Sequence, residues 1–342
     1  MYISAKTLDD LLRIVLTKLL ASNSHIEPDR GACTELCGVM LKLYNPRARL
    51  SRTERKGTVF SCLGDFLWHM AGSNQLNFIT YYIEKYFDYS DDGQTVFGAY
   101  GPRLLGMRGI NQVTAIIELM RRRPDSRRAV IQLFDAADIV GDHKDVPCTC
   151  TLQFLARRGR LHLVAHMRSN DAFMGLPHDV FAFTMLQELI ARTLGMEMGT
   201  YTHMVASLHL YDWDVGKTRL FLDEGWQSTV AAMPPMPLGD PWPSLQKVLA
   251  AEEELRLTGR INVRGLGLDP YWEDLVRLLQ IHSHAKRKRR GQIAGIQKRM
   301  VFRAIYDPYV NKRKHRTKKE SRETPSLQRL LGLDPQQPAK PR

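Results

Sequence analysis

Cys148 is the residue of this chain whose surroundings in sequence most favour covalent chemistry. It lies between Pro147 and Thr149, just before a predicted strand, where a thiolate could attack an electrophilic carbon. A buried structural cysteine is the commoner alternative for a thiol taken alone. Arginines can lower the pKa of a thiol and bind phosphate through paired hydrogen bonds. The arginines that precede and follow this cysteine are Arg127, Arg128 and Arg168.

Three short polar segments follow Cys148 in the chain. They are Arg168-Ser169-Asn170-Asp171, Gly175-Leu176-Pro177-His178-Asp179 and His209-Leu210-Tyr211. Each is a weak signal alone, because Gly-Leu-Pro is usually only a turn and an aspartate before a helix is often its N-cap. Their order relative to the cysteine is more specific than any one of them.

In this order the segments resemble the thymidylate synthase family. Three upstream segments agree: Ser51-Arg52-Thr53 resembles its phosphate-binding loop, Asp65-Phe66-Leu67-Trp68 its acidic helix motif, and Ala99-Tyr100-Gly101 its active-site tyrosine segment. The resemblance runs over roughly residues 45–215. It implies an α+β fold in which helices flank a large mixed β-sheet, and a homodimer whose interface is a face of that sheet.

The resemblance also implies the roles of individual residues. Cys148 would add to C6 of a pyrimidine nucleotide monophosphate, and Asp65 and Tyr100 would help proton transfers. The residues implied to bind the nucleotide are Arg52, Arg168 and Ser169 for the 5′-phosphate, Arg127 and Arg128 reaching that phosphate from the partner subunit, Asp179 for the base, and His209 and Tyr211 for the sugar hydroxyl. The residues implied to lie against the folate co-substrate, 5,10-methylenetetrahydrofolate, are Asp171, Gly175, Tyr86 and Tyr89.

Thiol addition has a clear chemical purpose in such a reaction. Addition at C6 breaks the conjugation of the pyrimidine ring, so that C5 becomes nucleophilic and takes the one-carbon unit of the folate. Elimination of the folate then leaves an exocyclic methylene. Reduction by hydride from the folate gives a methyl group, whereas addition of water gives a hydroxymethyl group.

Asp179 is the departure from the synthase pattern that bears most on the substrate. The synthases carry Asn at this position, and an Asp here marks the cytidylate hydroxymethylases. Cytosine presents an amino donor at N4 and an acceptor at N3, which a protonated carboxyl group can pair with. The pKa of Asp179 would have to be raised by burial or by the ligand. An N-cap role for Asp179 is the alternative.

Other departures concern the fate of the methylene group and the closing of the site. Tyr86-Phe87-Asp88-Tyr89 stands where the synthases place two tryptophans, and smaller rings could admit water; a Tyr-rich amphipathic patch is the alternative. Thr149 replaces a His, and Asp65 replaces a Glu, which makes its proton role less direct. The sequence therefore favours a cytidylate 5-hydroxymethylase. A thymidylate synthase and a nucleic-acid-binding protein that reuses the fold are the alternatives, and CMP and dCMP are not distinguished.

The charge of the chain is concentrated at its C-terminal end. From Lys286 to Arg342 there are 18 Lys and Arg against 4 Asp and Glu, a net of +14 in a chain whose total is +13. We therefore predict a catalytic domain over residues 1–285 and a basic, partly flexible extension over 286–342. A solvated tail is the commoner explanation for such a segment, and contact with nucleic acid is the functional alternative.

Hydrophobic patterning predicts helices and strands in separate runs, an α+β arrangement. The N-terminus lacks a basic region before an apolar one, and no apolar run reaches the length of a membrane span, so we expect a cytoplasmic protein with free thiols and no membrane contact. Cys33 and Cys37 have no second pair of ligands nearby, so we expect no metal. The predicted helices are 7–22, 63–88, 179–194 and 244–257, and the predicted strands are 129–134, 151–156, 161–168 and 201–213, with a hairpin turn at Arg158-Gly159-Arg160.

Overall fold

One mixed β-sheet with helices packed against it makes up residues 1–51, 58–224 and 232–315, which the computed structural model describes. The strands are β1 (Tyr2–Ala5), β2 (His25–Ile26), β3 (Cys33–Leu43), β4 (Val130–Gln132), β5 (Thr149–Arg157), β6 (Arg160–Asp171) and β7 (Glu197–Tyr211). The α-helices are α1 (Leu8–Leu20), α2 (Val59–Met70), α3 (Leu76–Tyr82), α4 (Tyr100–Gly106), α5 (Gln112–Arg122), α6 (Gly175–Thr193), α7 (Asp212–Asp223), α8 (Trp242–Thr258), α9 (Pro270–Lys286), α10 (Ile293–Gln297) and α11 (Arg303–His315).

The strand order explains why distant segments of the sequence meet. The sheet runs β1-β3-β7-β6-β5-β4, with β2 paired to β3. Strands β6 and β7 are parallel, and β5 and β3 are antiparallel to their central neighbours. This confirms the predicted α+β class with a mixed sheet flanked by helices.

The β5–β6 hairpin sets the position of Cys148. Arg158 and Gly159 form its two-residue turn with φ of 52° and 71°, and Arg157 pairs with Arg160. Two positive φ angles match the right-handed twist of the strands, and the glycine adopts this conformation without steric cost. The hairpin confirms the predicted turn. Because β5 pairs with β6 from this turn onward, Cys148, the residue before β5, lies opposite Arg168 in the far part of β6.

Helix α6 packs across β6 and β7. Leu176, Phe181, Met185 and Leu189 are 0–1% exposed, and each buried side chain of this kind contributes about 1.5–3 kcal/mol of hydrophobic free energy. The helix begins at Gly175, four residues before the predicted start at residue 179. Asp179 therefore lies in its second turn and is not the N-cap.

The other helices follow the predicted pattern with one break. The predicted helix 7–22 is α1, which Thr7 caps by accepting a hydrogen bond from the Asp10 backbone N–H. The predicted helical stretch 63–88 divides into α2, α3 and a 3₁₀ turn over Glu84–Tyr89. The strand predicted at 201–213 ends at Tyr211, where α7 begins.

Packed structure continues beyond the predicted boundary at residue 285. Ile293, Tyr306 and Val310 are 0–1% exposed, and the Tyr309 hydroxyl donates to the Ser51 carbonyl at 2.8 Å. The helices α9 to α11 thus belong to the same body as the sheet as far as the structure describes them. The division into a catalytic domain and a basic extension stays a prediction, and residues 316–342 lie outside the described ranges.

Three compositional expectations can be set beside the structure. All five cysteines are free thiols. Among the described residues there is no group of three or more His, Cys, Asp or Glu side chains that could hold a metal ion. No helix in the described ranges is both long enough and apolar enough to cross a membrane.

Candidate active site

Cys148 lies in the turn that leads into β5, beside Arg168 of β6. The Arg168 guanidinium donates to the carbonyls of Pro147 and Val146, both at 2.9 Å, and its Nη2 is 3.9 Å from the Cys148 Sγ. The Arg168 backbone N–H also donates to the Cys148 carbonyl at 2.9 Å. One arginine therefore fixes the turn and places a positive charge beside the sulfur.

The thiol is protonated in this environment. Burial raises the pKa of Cys148 to about 11, Arg168 opposes the shift, and Asp145 and Asp179 add to it. The thiolate is the nucleophilic form, so the reaction must form it only when an electrophile is in place. The charges of Arg168 and, to a smaller extent, Arg30 favour the thiolate.

Replacement of Arg168 by Gln is expected to slow alkylation of Cys148 by iodoacetamide about tenfold near pH 8, since losing the positive charge raises the thiol pKa further. Peptide mapping would follow Cys148, with the exposed Cys37 as the internal reference. Arg168→Lys keeps the charge and should lose less of the rate. Equal rates in the wild type and Arg168→Gln would contradict the assignment.

Tyr100 and Asp65 approach the nucleophile from the helical side. The Tyr100 hydroxyl accepts hydrogen bonds from the Thr149 backbone N–H at 3.2 Å and from its Oγ1 at 2.9 Å, directly beside Cys148. Burial raises the pKa of Asp65 well above its ordinary value, and Asp179 adds to this rise. Asp65 Oδ1 is 3.7 Å from Nε2 of His69, whose ring lies 5.1 Å from that of Tyr100.

Asp179 of α6 lies near the same groups, since its charge affects the pKa of Cys148, Tyr100 and Asp65. The region between these four side chains is the candidate cleft. Asp179 Oδ2 accepts a hydrogen bond from Asn170 Nδ2 at 2.7 Å. Burial raises the pKa of Asp179 to about 7, the bond from Asn170 opposes the rise, and Asp171 adds to it. The carboxyl group can thus be a hydrogen-bond donor near neutral pH, as the sequence interpretation required.

Gly175 leaves room for this contact. A Cβ at Gly175 would lie 3.0 Å from Asn170 Nδ2 and 3.7 Å from Asp179 Oδ2. The role of Gly175 toward the folate stays a prediction.

A second group of side chains lies at the ends of β6 and β7. Asp171 is paired with His209 in the sheet, and the His209 ring meets that of Tyr211 edge-on at 4.8 Å. Burial raises the pKa of Tyr211 to about 12, and the charge of Arg30 opposes this. Asp171 Oδ1 accepts from two backbone N–H groups of the following turn, those of Phe173 and Met174.

Arg30 joins this group to Cys148 and was not identified from the sequence. Its Nη2 donates to Asp145 Oδ1 at 3.1 Å and to the Lys144 carbonyl at 2.8 Å, and its guanidinium lies 4.6 Å from the Tyr89 ring centroid. Asp145, three residues before the nucleophile, was also missed. Burial raises its pKa, and Arg30 opposes the rise.

The neighbouring Gly31 is required for this position of Arg30. Its φ is 123°, and a Cβ there would lie 2.6 Å from Cζ3 of Trp213. A single Arg-Gly pair in a loop is a weak sequence signal. Its meaning depends on the pairing of β3 with β7, in which Cys33 lies opposite Tyr211.

The structure places the other predicted residues as follows. Tyr86 packs edge-on against Trp68 at 5.3 Å and against Tyr89 at 5.6 Å, on the Asp65 side of the cleft. Ser169 is half-buried and pairs with Ser207. Arg127 and Arg128 are exposed just before β4 and are not brought to Cys148 of their own chain. Arg52 lies outside the described residues.

Comparison with known proteins identifies the family pattern independently of the site. A family model described as thymidylate synthase matches residues 18–241. A solved structure of thymidylate synthase from T4 phage superposes with a TM-score of 0.55 at 19% identity, covering 66% of this chain and 82% of that one. This likeness shows the thymidylate synthase fold.

Curated relatives are also similar to this chain. A deoxyuridylate hydroxymethyltransferase of Pseudomonas phage M6 is 34% identical over 173 residues, covering 50% of this chain and 49% of the relative. A protein of the same name from Delftia phage PhiW-14 is 31% identical over 210 residues, covering 57% and 58%. A third, from Bacillus phage SP01, is 29% identical over 216 residues, covering 59% and 56%. The chain thus spans about half to three fifths of the length of these relatives.

Proposed function

Because the chain belongs to the thymidylate synthase family, we propose that it is a pyrimidine nucleotide one-carbon transferase that forms a 5-hydroxymethyl cytidylate. The observation that carries the proposal is the arrangement of Cys148, Arg168 and Asp179 around one cleft, with Asp179 poised to be protonated near pH 7. Cys148 and Arg168 would carry out the covalent step, and Asp179 would bind the base.

Asp179 and Cys148 can act together on cytosine. When the sulfur bonds to C6, the electron pair of the C5–C6 double bond moves toward N3, where negative charge develops. A protonated Asp179 that donates to N3 stabilises that charge in the transition state, and its other oxygen accepts from the N4 amino group. In uracil the charge would move to O4, which a carboxyl oxygen that only accepts cannot stabilise.

The cleft also has groups that fit a folate. Trp68 Nε1 and Asp65 Oδ1 are buried and have no hydrogen-bond partner among the described residues, and the rings of Tyr86 and Tyr89 lie nearby. Unpaired polar atoms beside aromatic rings suit a pterin, which is flat and has polar edges. Methylenetetrahydrofolate would supply the carbon that C5 receives.

The chain's own residues account for the remaining tasks. Arg30 and Arg168 place two positive charges near Cys148, as phosphate binding requires. Tyr100, hydrogen-bonded to Thr149, is positioned to move the proton that C5 must lose. Tyr86 fills less space than an indole and leaves room for water, so that hydration gives the hydroxymethyl group.

A homodimer is part of the proposal. On the sheet face turned away from α6, Thr151, Val164 and Met204 are half-buried and His166 is exposed. The exposed Arg127 and Arg128 are free to reach a partner's nucleotide phosphate. Contact with nucleic acid through residues 286–342 stays a prediction.

Deoxyuridylate is the second candidate acceptor. The names of the curated relatives favour it, whereas Asp179 favours cytidylate. Incubating the full-length protein with dCMP, CMP, dUMP and methylenetetrahydrofolate, and identifying each product by mass, would decide between them. Addition of CH₂O to a cytidylate supports the proposal. A hydroxymethyl product from dUMP alone refutes the base assignment, and thymidylate with accompanying dihydrofolate refutes the hydration step.

The titration of Asp179 should change the affinities for dCMP and dUMP in opposite directions as the pH rises. Its raised pKa means that the proton needed by N3 is bound below about pH 7 and is lost above it. In a Cys148→Ala variant, which binds without reacting, dCMP affinity should fall up to tenfold for each pH unit above about pH 7. The affinity for dUMP should rise over the same interval, since a carboxylate accepts from its N3–H.

Calorimetry between about pH 6 and pH 9 would measure both affinities. The double variant Cys148→Ala/Asp179→Asn is the control, because it keeps the phosphate titration but removes the carboxyl group. Parallel pH profiles for dCMP and dUMP in the single variant would contradict the role of Asp179.

A further inference from the structure

A buried line of polar groups runs from Tyr201 to Asp179. The Tyr201 hydroxyl is 2.6 Å from His203 Nδ1, His203 Nε2 is 3.1 Å from Asn170 Oδ1, and Asn170 Nδ2 is 2.7 Å from Asp179 Oδ2. Tyr201 and His203 are each 1% exposed, and Asn170 is 3% exposed. Three strand residues of β6 and β7 thus connect the core of the sheet to the carboxyl group that faces the base.

Which groups donate and which accept along this line can be assigned by starting from the Tyr201 hydroxyl. Within the described part of the chain, His203 Nδ1 is the one hydrogen-bond partner of the Tyr201 hydroxyl, and a buried O–H left undonated is costly. Tyr201 therefore donates to Nδ1. Burial lowers the pKa of His203 to about 3, so the ring is neutral and its single proton is on Nε2.

The proton on His203 Nε2 in turn sets the orientation of the Asn170 amide. A donor at His203 Nε2 requires the amide oxygen of Asn170 to face it, which turns the amide nitrogen toward Asp179. Asp179 Oδ2 can only accept from this nitrogen. A proton bound by the carboxyl group must therefore be on Oδ1, because a proton on Oδ2 would face the Asn170 N–H.

We propose that Tyr201 and His203 are positioning residues that fix the orientation of the Asn170 amide, assign the Asp179 proton to Oδ1, and thereby select cytosine over uracil. This rests on the proposed function, in which Asp179 reads the base. With the proton on Oδ1, the carboxyl group donates to N3 of cytosine and accepts from its amino group at Oδ2. Uracil needs the opposite arrangement, which the Asn170 N–H opposes.

Loss of the Tyr201 hydroxyl should weaken this selection. Without it, His203 can take either tautomer and the Asn170 amide can turn its oxygen toward Asp179, where it accepts a proton from Oδ2. The protonated carboxyl group then gains a partner, so the pKa of Asp179 rises above about 7. The ratio of dCMP to dUMP affinity should fall about tenfold, since a proton on Oδ2 suits uracil.

The experiment compares Tyr201→Phe with Tyr271→Phe. Tyr271 is also 1% exposed, and its hydroxyl contacts the Met185 sulfur, outside the cleft. Carbon NMR of protein labelled in its Asp carboxyl groups would follow the titration of Asp179, and competition binding would give the affinity ratio. We expect the raised pKa and the reduced ratio in Tyr201→Phe alone.

A second pair of variants tests the same line at His203. In His203→Gln the amide offers an acceptor to Tyr201 and a donor to Asn170, so the Asn170 orientation and the ratio of dCMP to dUMP affinity should be retained. His203→Leu offers neither group and should lose both. An unchanged Asp179 pKa and an unchanged ratio in Tyr201→Phe and His203→Leu would overturn the inference. So would an equal loss of affinity for both bases, which indicates only damage to the fold.

The titration needs no turnover, which separates this inference from the proposed reaction. If the wild type makes no hydroxymethyl cytidylate but the Asp179 pKa rises in Tyr201→Phe, the proposed reaction is refuted and the positioning role of Tyr201 is supported. If the wild type makes the product but the Asp179 pKa and the ratio of dCMP to dUMP affinity are unchanged in Tyr201→Phe, only the positioning role is refuted.

Discussion

Replacement of Cys148 by Ser is expected to lower the turnover of the nucleotide by at least about 10³-fold, because the hydroxyl group is a far weaker nucleophile toward C6 than a thiolate. Nucleotide affinity should change only a few fold, since Arg168 and Asp179 remain in place. Product formation measured under single-turnover conditions, with binding measured separately, checks both statements. Because the thiol pKa is about 11, Cys148 is uncharged before it reacts. Its replacement therefore removes the covalent step without removing a charge from the site.

Cys150→Ser is the matched control. Cys150 is also half-buried and burial raises its pKa, yet it stands two residues farther along β5. Its replacement should leave turnover within a few fold of the wild type. Turnover that survives in Cys148→Ser, or is lost equally in both variants, would show that no covalent bond to residue 148 is needed.

Replacement of Asp179 by Asn is expected to weaken the preference for dCMP over dUMP. With Asn170 held in place, the amide oxygen accepts from Asn170 and the amide N–H faces N3 of cytosine, but an amide N–H is a far weaker acid than a carboxyl O–H and stabilises the charge that develops on N3 less well. The ratio of kcat/KM for dCMP to that for dUMP should therefore fall by at least about tenfold. Binding of both nucleotides should change less than this ratio. Steady-state kinetics with each nucleotide would measure the ratio.

Asp142→Asn controls for the loss of a carboxylate. Asp142 is exposed in the loop that leads to Cys148, so its replacement changes the charge near the site without touching the cleft. Its ratio should remain that of the wild type. An Asp179→Asn variant that keeps the wild-type kcat/KM ratio would mean that another group reads the base.

The sequence predicts those parts of the site whose residues lie close together in the chain. Pro147-Cys148 and Arg168 are joined by a hairpin whose turn, Arg158-Gly159, is evident from its residue types, so their meeting follows from local rules. Asp179 lies beside Asn170 in the second turn of helix α6, and this helix begins earlier than its apolar pattern suggested. Helix ends are set by backbone hydrogen bonds that residue types constrain weakly.

Arg30 and the Tyr201–His203 pair could not be predicted in this way. Arg30 reaches Asp145 across 115 residues of sequence, and the whole strand order β3-β7-β6-β5 is needed to bring the segment before β3 near the segment before β5. In β7 the alternation of Tyr201 and His203 predicts two inward-facing side chains but not that Asn170 of β6 is their partner. In the β6–β7 register Asn170 lies opposite Leu208 and His203 lies opposite Ala165, so strand pairing alone does not predict the contact between Asn170 and His203.

The C-terminal helices show a different limit. The charge of the segment from Lys286 onward obscures a sparse apolar set, among which Ile293, Ile296 and Tyr306 are buried. Composition averages over such a segment and therefore predicts exposure. Packing depends on which few side chains face the body, and these are too widely spaced to dominate the pattern.

The most direct test of the account is the source of the oxygen in the product. The full-length wild-type protein would be incubated with dCMP and methylenetetrahydrofolate in isotopically labelled water, with the nucleotide analysed by mass spectrometry and dihydrofolate followed by absorbance. The account predicts a hydroxymethyl cytidylate that carries the heavy oxygen, with no dihydrofolate formed. A methylated nucleotide with stoichiometric dihydrofolate, or an unmodified dCMP beside a modified dUMP, would contradict it.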